Sequence, residues 1–114
     1  IFVGALDSNG TVSNKAELAS YSNFAGDNLA VQSRFLTVGV EGDETGLYGT
    51  SFAAPIISGY AGILGSKFKK ATSTQISNQL LNTARTDTVL NYDPSIYGKG
   101  EASLSRALAP LSIK

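Results

Sequence analysis

One serine of this 114-residue sequence stands where nucleophilic chemistry is expected. Residues 48–55 read Tyr-Gly-Thr-Ser-Phe-Ala-Ala-Pro, with the serine at position 51. Gly49 allows a sharp backbone turn before it, and Pro55 is tolerated only in the first turn of a helix, which predicts a helix start near Ser51. A hydroxyl there lies beside unpaired backbone N–H groups that can stabilise an oxyanion. The pattern therefore predicts a serine nucleophile in acyl transfer.

Composition limits what Ser51 can do within this chain. The sequence contains no histidine and no cysteine, so the commonest general base is missing, and thiolate chemistry, disulfides and cysteine-ligated zinc are excluded. Nine basic residues balance nine acidic ones, and such a balance gives no electrostatic footprint for nucleic acid. No apolar run approaches the roughly 20 residues of a membrane span. A Gly-Thr-Ser run by itself is also typical of an ordinary helix cap.

Apolar segments predict the strands that position this serine. Residues 1–6 are apolar without alternation, which predicts a strand buried on both faces. Two further strands are predicted at 28–32 and 34–40, with a loop at 19–26 and an exposed acidic turn at 41–46. That turn is expected to be solvated, because a calcium site needs about six or more oxygen ligands. The other aspartates, which also lie in turns, are expected to be solvated: Asp7, Asp27, Asp87 and Asp93.

Three helices are predicted after the serine. The first carries three glycines, each costing about 1 kcal/mol relative to alanine, so we expect it to be nearly all buried with other backbone packed closely on it. The second begins at Thr72, because Thr-Ser-Thr-Gln at 72–75 has capping-box spacing. A loop containing Asp-Pro at 93–94 leads to a last helix near 103–109. Strands and helices together predict an α/β layered architecture.

Four motifs in this sequence resemble those of the subtilase family (subtilisin-like serine proteases, peptidase S8). Residues 49–55 are similar to the signature around its catalytic serine, and the glycine-containing helix follows as in that family. Val-Gly-Ala-Leu-Asp at 3–7 resembles the family strand Val-Gly-Ala-Val-Asp, and Ala-Ser-Tyr-Ser-Asn at 19–23 resembles the loop Ala-Ser-Phe-Ser-Ser. Tyr-Gly-Lys-Gly at 97–100 resembles the closing Tyr-Gly-x-Gly. The motifs follow the family order and correspond to about the C-terminal third of its catalytic domain.

The resemblance implies a fold, an activity and a set of site residues. The fold is part of a three-layer α/β structure with a mostly parallel sheet, incomplete in this chain. Ser51 is the implied nucleophile and its own N–H an oxyanion donor, with Thr50 supporting that hole. Leu47 and Phe52 are implied to border the leaving-group side of the cleft, with plain core packing as the alternative for both.

The resemblance also implies what lies outside these residues. The sequence opens on an apolar strand without a starting methionine, so we expect a piece of a longer protein. The triad Asp and His and an oxyanion Asn would come from the rest of the catalytic domain. The implied substrate is a polypeptide, no cofactor is required, and structural calcium is compatible with the full-length protein. A secreted or cell-surface location and the absence of a membrane span from this segment complete these expectations.

Two departures and two alternatives accompany the resemblance. Gln-Ser-Arg at 32–34 replaces a family Ala-Pro-Gly after the strand equivalent to 29–31, and Glu101 replaces a usual apolar residue. The Gly-x-Ser-x-Ala pattern at 49–53 also resembles a lipase elbow, but that fold places its histidine after the serine, where this sequence has none. A non-catalytic pseudoprotease remnant or interaction module stays open as the second hypothesis.

Overall fold

The apolar segments at the start of the chain and before residue 40 form a parallel strand pair. The structure, a computed structural model, describes residues 1–40 and 52–113. Strand β1 (Phe2–Leu6) pairs with β2 (Phe35–Gly39), and Phe2 stands opposite Phe35. The mixed arrangement of helices around a parallel pair confirms the predicted α/β class and is consistent with part of a subtilisin-like fold.

Five helices are present in the described residues, and local capping explains most of their starts. Their bounds are α1 Leu29–Gln32, α2 Ala53–Lys67, α3 Ser73–Asn82, α4 Pro94–Tyr97 and α5 Leu104–Leu108. The capping box predicted at Thr72 is confirmed, because the Thr72 hydroxyl accepts from the Gln75 N–H and the Gln75 side chain accepts from the Thr72 N–H. Ser103 caps the last helix through the N–H of Arg106.

The segment after α4 extends the sheet beyond β2. Thr37 donates its backbone N–H to the Gly100 carbonyl and accepts the N–H of Ala102, each at 2.9 Å. On the far side of that segment, Glu101 and Arg85 exchange two backbone hydrogen bonds of 2.8 and 2.9 Å. The closing motif therefore adds a third line of backbone beside β2, although these pairings are isolated bridges rather than a full strand.

The main core lies between this sheet and the helices α2, α3 and α5. Its fully buried members come from each of those elements: Ala5, Leu36, Ala53, Leu64, Leu80 and Ala107. A smaller cluster, formed by Leu6, Ala16, Val89 and Tyr97, includes the last residue of β1. The carboxyl half of β1 is buried as predicted, whereas Phe2 is exposed and Val3 only half-buried.

Two sequence-based predictions about elements were wrong, and the short helix α4 was not predicted, since its segment was expected to be a loop. Residues 28–32 do not form a strand, because the Asn28 side chain accepts the N–H groups of Ala30 and Val31 and starts the short helix α1. The strand of this region is β2 alone, so the strand equivalence assumed for 29–31 is also wrong. An asparagine side chain that accepts the first N–H groups of a helix stabilises helical backbone relative to extended backbone, and residues 29–32 are accordingly helical.

The second error concerns the burial of α2. Only Ala53, Ile57 and Leu64 of this helix are buried. A Cβ placed on Gly59 or Gly62 would have nothing within 4 Å in the described part of the chain. Within the residues described, the glycine face of α2 is therefore uncovered, since the sheet and the neighbouring helices pack against its other side.

Candidate active site

The described residues include one of the four predicted site residues. Ser51, Thr50 and Leu47 lie outside the described residues, as does the predicted acidic turn at 41–46. Phe52 is described and is the N-cap of α2, so the helix begins two positions after Ser51 in the sequence. The predicted helix start near Ser51 is confirmed to that extent, with Pro55 inside the first turn.

The start of α2 is held by packing. Phe52 has helical backbone angles (φ −88°, ψ −17°), is half-buried and packs against the main core. Ala53 follows it with no exposed surface. Phe52 makes no side-chain hydrogen bond to the helix end, and the first N–H groups of a helix carry its positive partial charge. This geometry suits an anionic group near the helix start, while the predicted place of Phe52 at a substrate cleft stays a prediction.

An apolar pocket of about 660 Å³ opens beside the first turn of α2. Ala54, three residues after Ser51 in sequence, lines it together with side chains from β1, β2 and the loop after residue 19. Those that carry its apolar character are Phe2, Val3, Phe24, Val31 and Phe35. Phe24 and Phe2 are 65% and 54% exposed, so this region presents a large apolar surface.

The loop at 19–26 is fastened to β1 by a serine. The Ser22 hydroxyl accepts the backbone N–H of Ala5 and donates to the Asn23 carbonyl, both at 2.7 Å. The predicted loop is confirmed. Two of the motifs noted in the sequence, at 3–7 and 19–23, are therefore joined directly through one side chain.

The closing motif at 97–100 is fastened to β2. Gly98 has φ +59°, and a Cβ there would collide with Phe35, so only glycine fits this turn without strain. The Lys99 N–H donates to the Phe35 carbonyl at 2.9 Å. Tyr97 is buried and donates its hydroxyl to the Leu90 carbonyl at 2.9 Å, and burial raises its pKa.

Glu101 is a buried carboxylate that sequence reasoning did not single out as a site. It is 8% exposed, and its oxygens accept the Thr88 hydroxyl at 2.6 Å and the Gly10 N–H at 3.1 Å. Burial raises the pKa of Glu101, whereas these two hydrogen bonds and the nearby Arg85 partly oppose that shift. The signal that could have found this site is a charged residue where the family has an apolar one.

The four aspartates predicted to lie in turns outside 41–46 are solvated, as predicted. Asp7, Asp27, Asp87 and Asp93 are all exposed. Asp87 forms an exposed ion pair with Arg85, whose guanidinium lowers the pKa of that carboxyl. Among residues 1–40 and 52–113, no three side chains of metal-ligating type come together. No helix in the described ranges has the length and hydrophobicity needed to cross a bilayer.

Comparison with known proteins gives one family and one relative. The family model described as Subtilase family, Peptidase_S8, matches residues 1–100. Mycosin-5 of Mycobacterium tuberculosis (strain ATCC 25618 / H37Rv) is 36% identical over 92 residues, which cover 73% of this chain and 16% of the relative. The chain thus spans about a sixth of the curated relative that it matches. No solved structure matches the chain with significance.

Proposed function

This chain belongs to the subtilase family of serine proteases, and from that premise we propose that it carries the nucleophile of a peptide-bond hydrolase. The Ser51 hydroxyl attacks the scissile carbonyl of a polypeptide substrate, and its proton passes to a histidine. The histidine gives that proton to the amine as the C–N bond breaks and the amine leaves, and water then hydrolyses the acyl-enzyme that remains on Ser51. The observation that carries the proposal is the family match over residues 1–100, which encloses the Gly-Thr-Ser signature.

The oxyanion of each tetrahedral intermediate needs donors that are already in place. We assign one of them to the Ser51 N–H, with Thr50 supporting the hole and an asparagine from the rest of the domain completing it. The start of α2 supports this assignment, because helix N–H groups bring partial positive charge to the region beside the nucleophile. Phe52 and Leu47 are proposed to border the leaving-group side of the cleft.

The chain by itself is expected to be inactive. It contains no histidine, so the Ser51 hydroxyl has no triad base within these residues. We propose that the remainder of a subtilase catalytic domain supplies the aspartate and the histidine. The short coverage of the matched relative supports this, as does the apolar surface around Phe24 and the uncovered glycine face of α2. Surfaces of this kind typically mark contacts with other protein.

The setting of the intact enzyme follows from the same family. We propose a secreted or cell-surface protease that acts on polypeptides without a cofactor, in which structural calcium is compatible with the fold. Binding of nucleic acid is not part of the proposal, since the chain has nine basic and nine acidic residues. The second candidate, a non-catalytic remnant or an interaction module, requires that the upstream Asp and His have been lost.

Covalent labelling separates the two candidates. The intact protein carrying this chain is treated with a fluorophosphonate probe, which reacts with an activated serine, and the labelled peptide is mapped. We expect labelling at Ser51, its loss in Ser51→Ala, and a parallel loss of peptidase activity. Ser13→Ala, which changes an exposed serine of the loop after β1, serves as the matched control and keeps both signals. A folded intact protein whose Ser51 does not label would favour the non-catalytic candidate.

A further inference from the structure

The loop after β1 contains the sole Asn-Gly pair of the sequence, at residues 9–10. Such a pair is chemically labile, because glycine has no Cβ to hinder attack by its own backbone nitrogen. In that reaction the Gly10 nitrogen loses its proton and bonds to Asn9 Cγ, and the side-chain nitrogen leaves as ammonia. Water then opens the resulting succinimide at either carbonyl, which gives aspartate or isoaspartate.

The structure holds the attacking nitrogen away from this reaction. The Gly10 N–H donates to Oε2 of Glu101 at 3.1 Å. The glycine is also enclosed, since a Cβ at this position would collide with the Thr88 carbonyl and lie 2.8 Å from Oε1 of Glu101. Glu101 itself is buried and fixed by the Thr88 hydroxyl at 2.6 Å.

We propose that residues 9–10 are a latent deamidation site and that Glu101 protects it. Attack on Asn9 requires the Gly10 nitrogen to give up a hydrogen bond to a carboxylate, which is stronger than one between neutral groups. The deprotonated nitrogen would also be an anion beside another anion, which disfavours its formation. Asn9 is exposed, so water and base reach the pair whenever this restraint is released.

The modification would matter because of where Asn9 sits. Its backbone nitrogen and side-chain oxygen lie so close to Gly39, the last residue of β2, that a Cβ there would collide with both. An isoaspartyl link adds one methylene to the main chain at this contact, and Gly10 has no room to shift toward the Thr88 carbonyl. Formation of isoaspartate is therefore expected to break the Gly10–Glu101 bond and to loosen the end of β2.

Peptide mapping by mass spectrometry tests the protection. The intact protein is incubated at mildly alkaline pH, folded and in urea, and conversion of Asn9 is followed with isoaspartate detected separately. We expect the folded protein to convert far more slowly than the unfolded one. Glu101→Ala in the folded state is expected to convert about tenfold faster or more, the factor implied by losing one hydrogen bond to a charged group.

Two further variants separate protection by Glu101 from a general loss of stability and from base catalysis. Thr72→Ala weakens the capping box of α3, away from Gly10, and is expected to convert at nearly the folded wild-type rate. Glu101→Gln keeps an acceptor for the Gly10 N–H without the charge, so its rate is expected between those of wild type and Glu101→Ala. Equal rates in folded and unfolded protein would overturn the proposal, as would an Ala variant no faster than wild type. Wild type and Glu101→Gln are compared at urea concentrations that give them equal free energy of unfolding, because the Gln variant is expected to be the more stable at this pH. A Gln variant slower than wild type under that condition would also overturn the proposal, since the carboxylate would then act as a base for the attack.

Discussion

The buried carboxylate of Glu101 makes the stability of this fold depend on pH, and Glu101→Gln isolates that dependence. Burial raises the pKa of this group in the folded chain, while in the unfolded chain it titrates near the ordinary value of about 4.3. Between these two pKa values the folded state binds more protons than the unfolded state. The contribution of Glu101 to stability is therefore fully present below the ordinary glutamate pKa and is lost as pH rises through the raised one.

Glutamine keeps the shape and both hydrogen bonds but does not titrate. Its side-chain oxygen can accept the Gly10 N–H and its amide can donate to the Thr88 hydroxyl, the two partners that Glu101 has at 3.1 and 2.6 Å. We therefore expect Glu101→Gln to gain stability relative to wild type as pH rises from about 4 toward neutrality.

The hydrogen bond between Thr88 and Glu101 gives the size of a related effect, which is the stability lost in Thr88→Val at each pH. Thr88→Val removes that 2.6 Å bond inside a buried site. When Glu101 is ionised, this substitution is expected to lower the free energy of unfolding by about 1.5–3 kcal/mol, because the bond is to a charged group. When Glu101 is protonated, the expected loss is about 0.5–1.5 kcal/mol. In the Glu101→Gln background the same substitution removes a neutral bond and is expected to cost about 1 kcal/mol at every pH.

Urea unfolding of wild type, Glu101→Gln, Thr88→Val and the double variant, from about pH 4 to about pH 8, measures these differences in the free energy of unfolding. Far-ultraviolet circular dichroism and tyrosine emission are suitable probes, because the chain has five tyrosines and no tryptophan. A cost of Thr88→Val that does not change with pH in the wild-type background would refute the reasoning. So would a wild type that becomes more stable than Glu101→Gln as pH rises.

Three further substitutions test the helices. Gly62→Ala fills open space on α2 and is expected to raise the free energy of unfolding of this chain alone by about 1 kcal/mol. In the intact protein we propose that other backbone packs on this face, and there Gly62→Leu is expected to abolish peptidase activity. If Gly62→Ala stabilised the chain alone and the intact protein equally, and Gly62→Leu kept full peptidase activity, the proposed packing of other backbone on this face of α2 would be contradicted. Thr72→Ala removes the capping box of α3 and is expected to lower the free energy of unfolding by about 1 kcal/mol; urea unfolding measures it, and no change would contradict a stabilising cap.

Local side-chain chemistry decided which helices the sequence could predict. The capping box at Thr72 is a short-range signal, and α3 begins where it predicts. The last helix was predicted near 103–109, and the structure shows that Ser103 caps it. Helix α4 was missed although its signal is equally local, since Asp93 caps it and Pro94 occupies its first turn. The apolar residues at 29–31 favour a strand, but the side chain of Asn28 before them caps a helix, and the segment is helical.

Features that depend on distant residues could not be predicted in this way. Glu101 meets Gly10 across 91 positions of sequence, so no local pattern shows that its carboxylate is buried and bonded. The glycines of α2 predict a helix covered closely by other backbone, but the described residues leave Gly59 and Gly62 uncovered, and periodicity does not say which polypeptide would cover them. The nucleophile at Ser51 was predicted from a motif, whose chemistry depends on residue types more than on the surrounding fold.

Two features are missing, a histidine from the sequence and a cover for the glycines of α2 among the described residues, and we expect one further polypeptide to supply both. This chain has no histidine to activate Ser51, and among the described residues nothing covers Gly59 and Gly62 of the helix that follows that serine in sequence. Three glycines in one helix interior cost about 1 kcal/mol each, a cost that close packing against other backbone can offset. Polypeptide packed on α2 would also bring side chains toward its first turn, which follows the proposed nucleophile Ser51 in sequence. We therefore expect the part that completes the packing of α2 to be the part that brings the base.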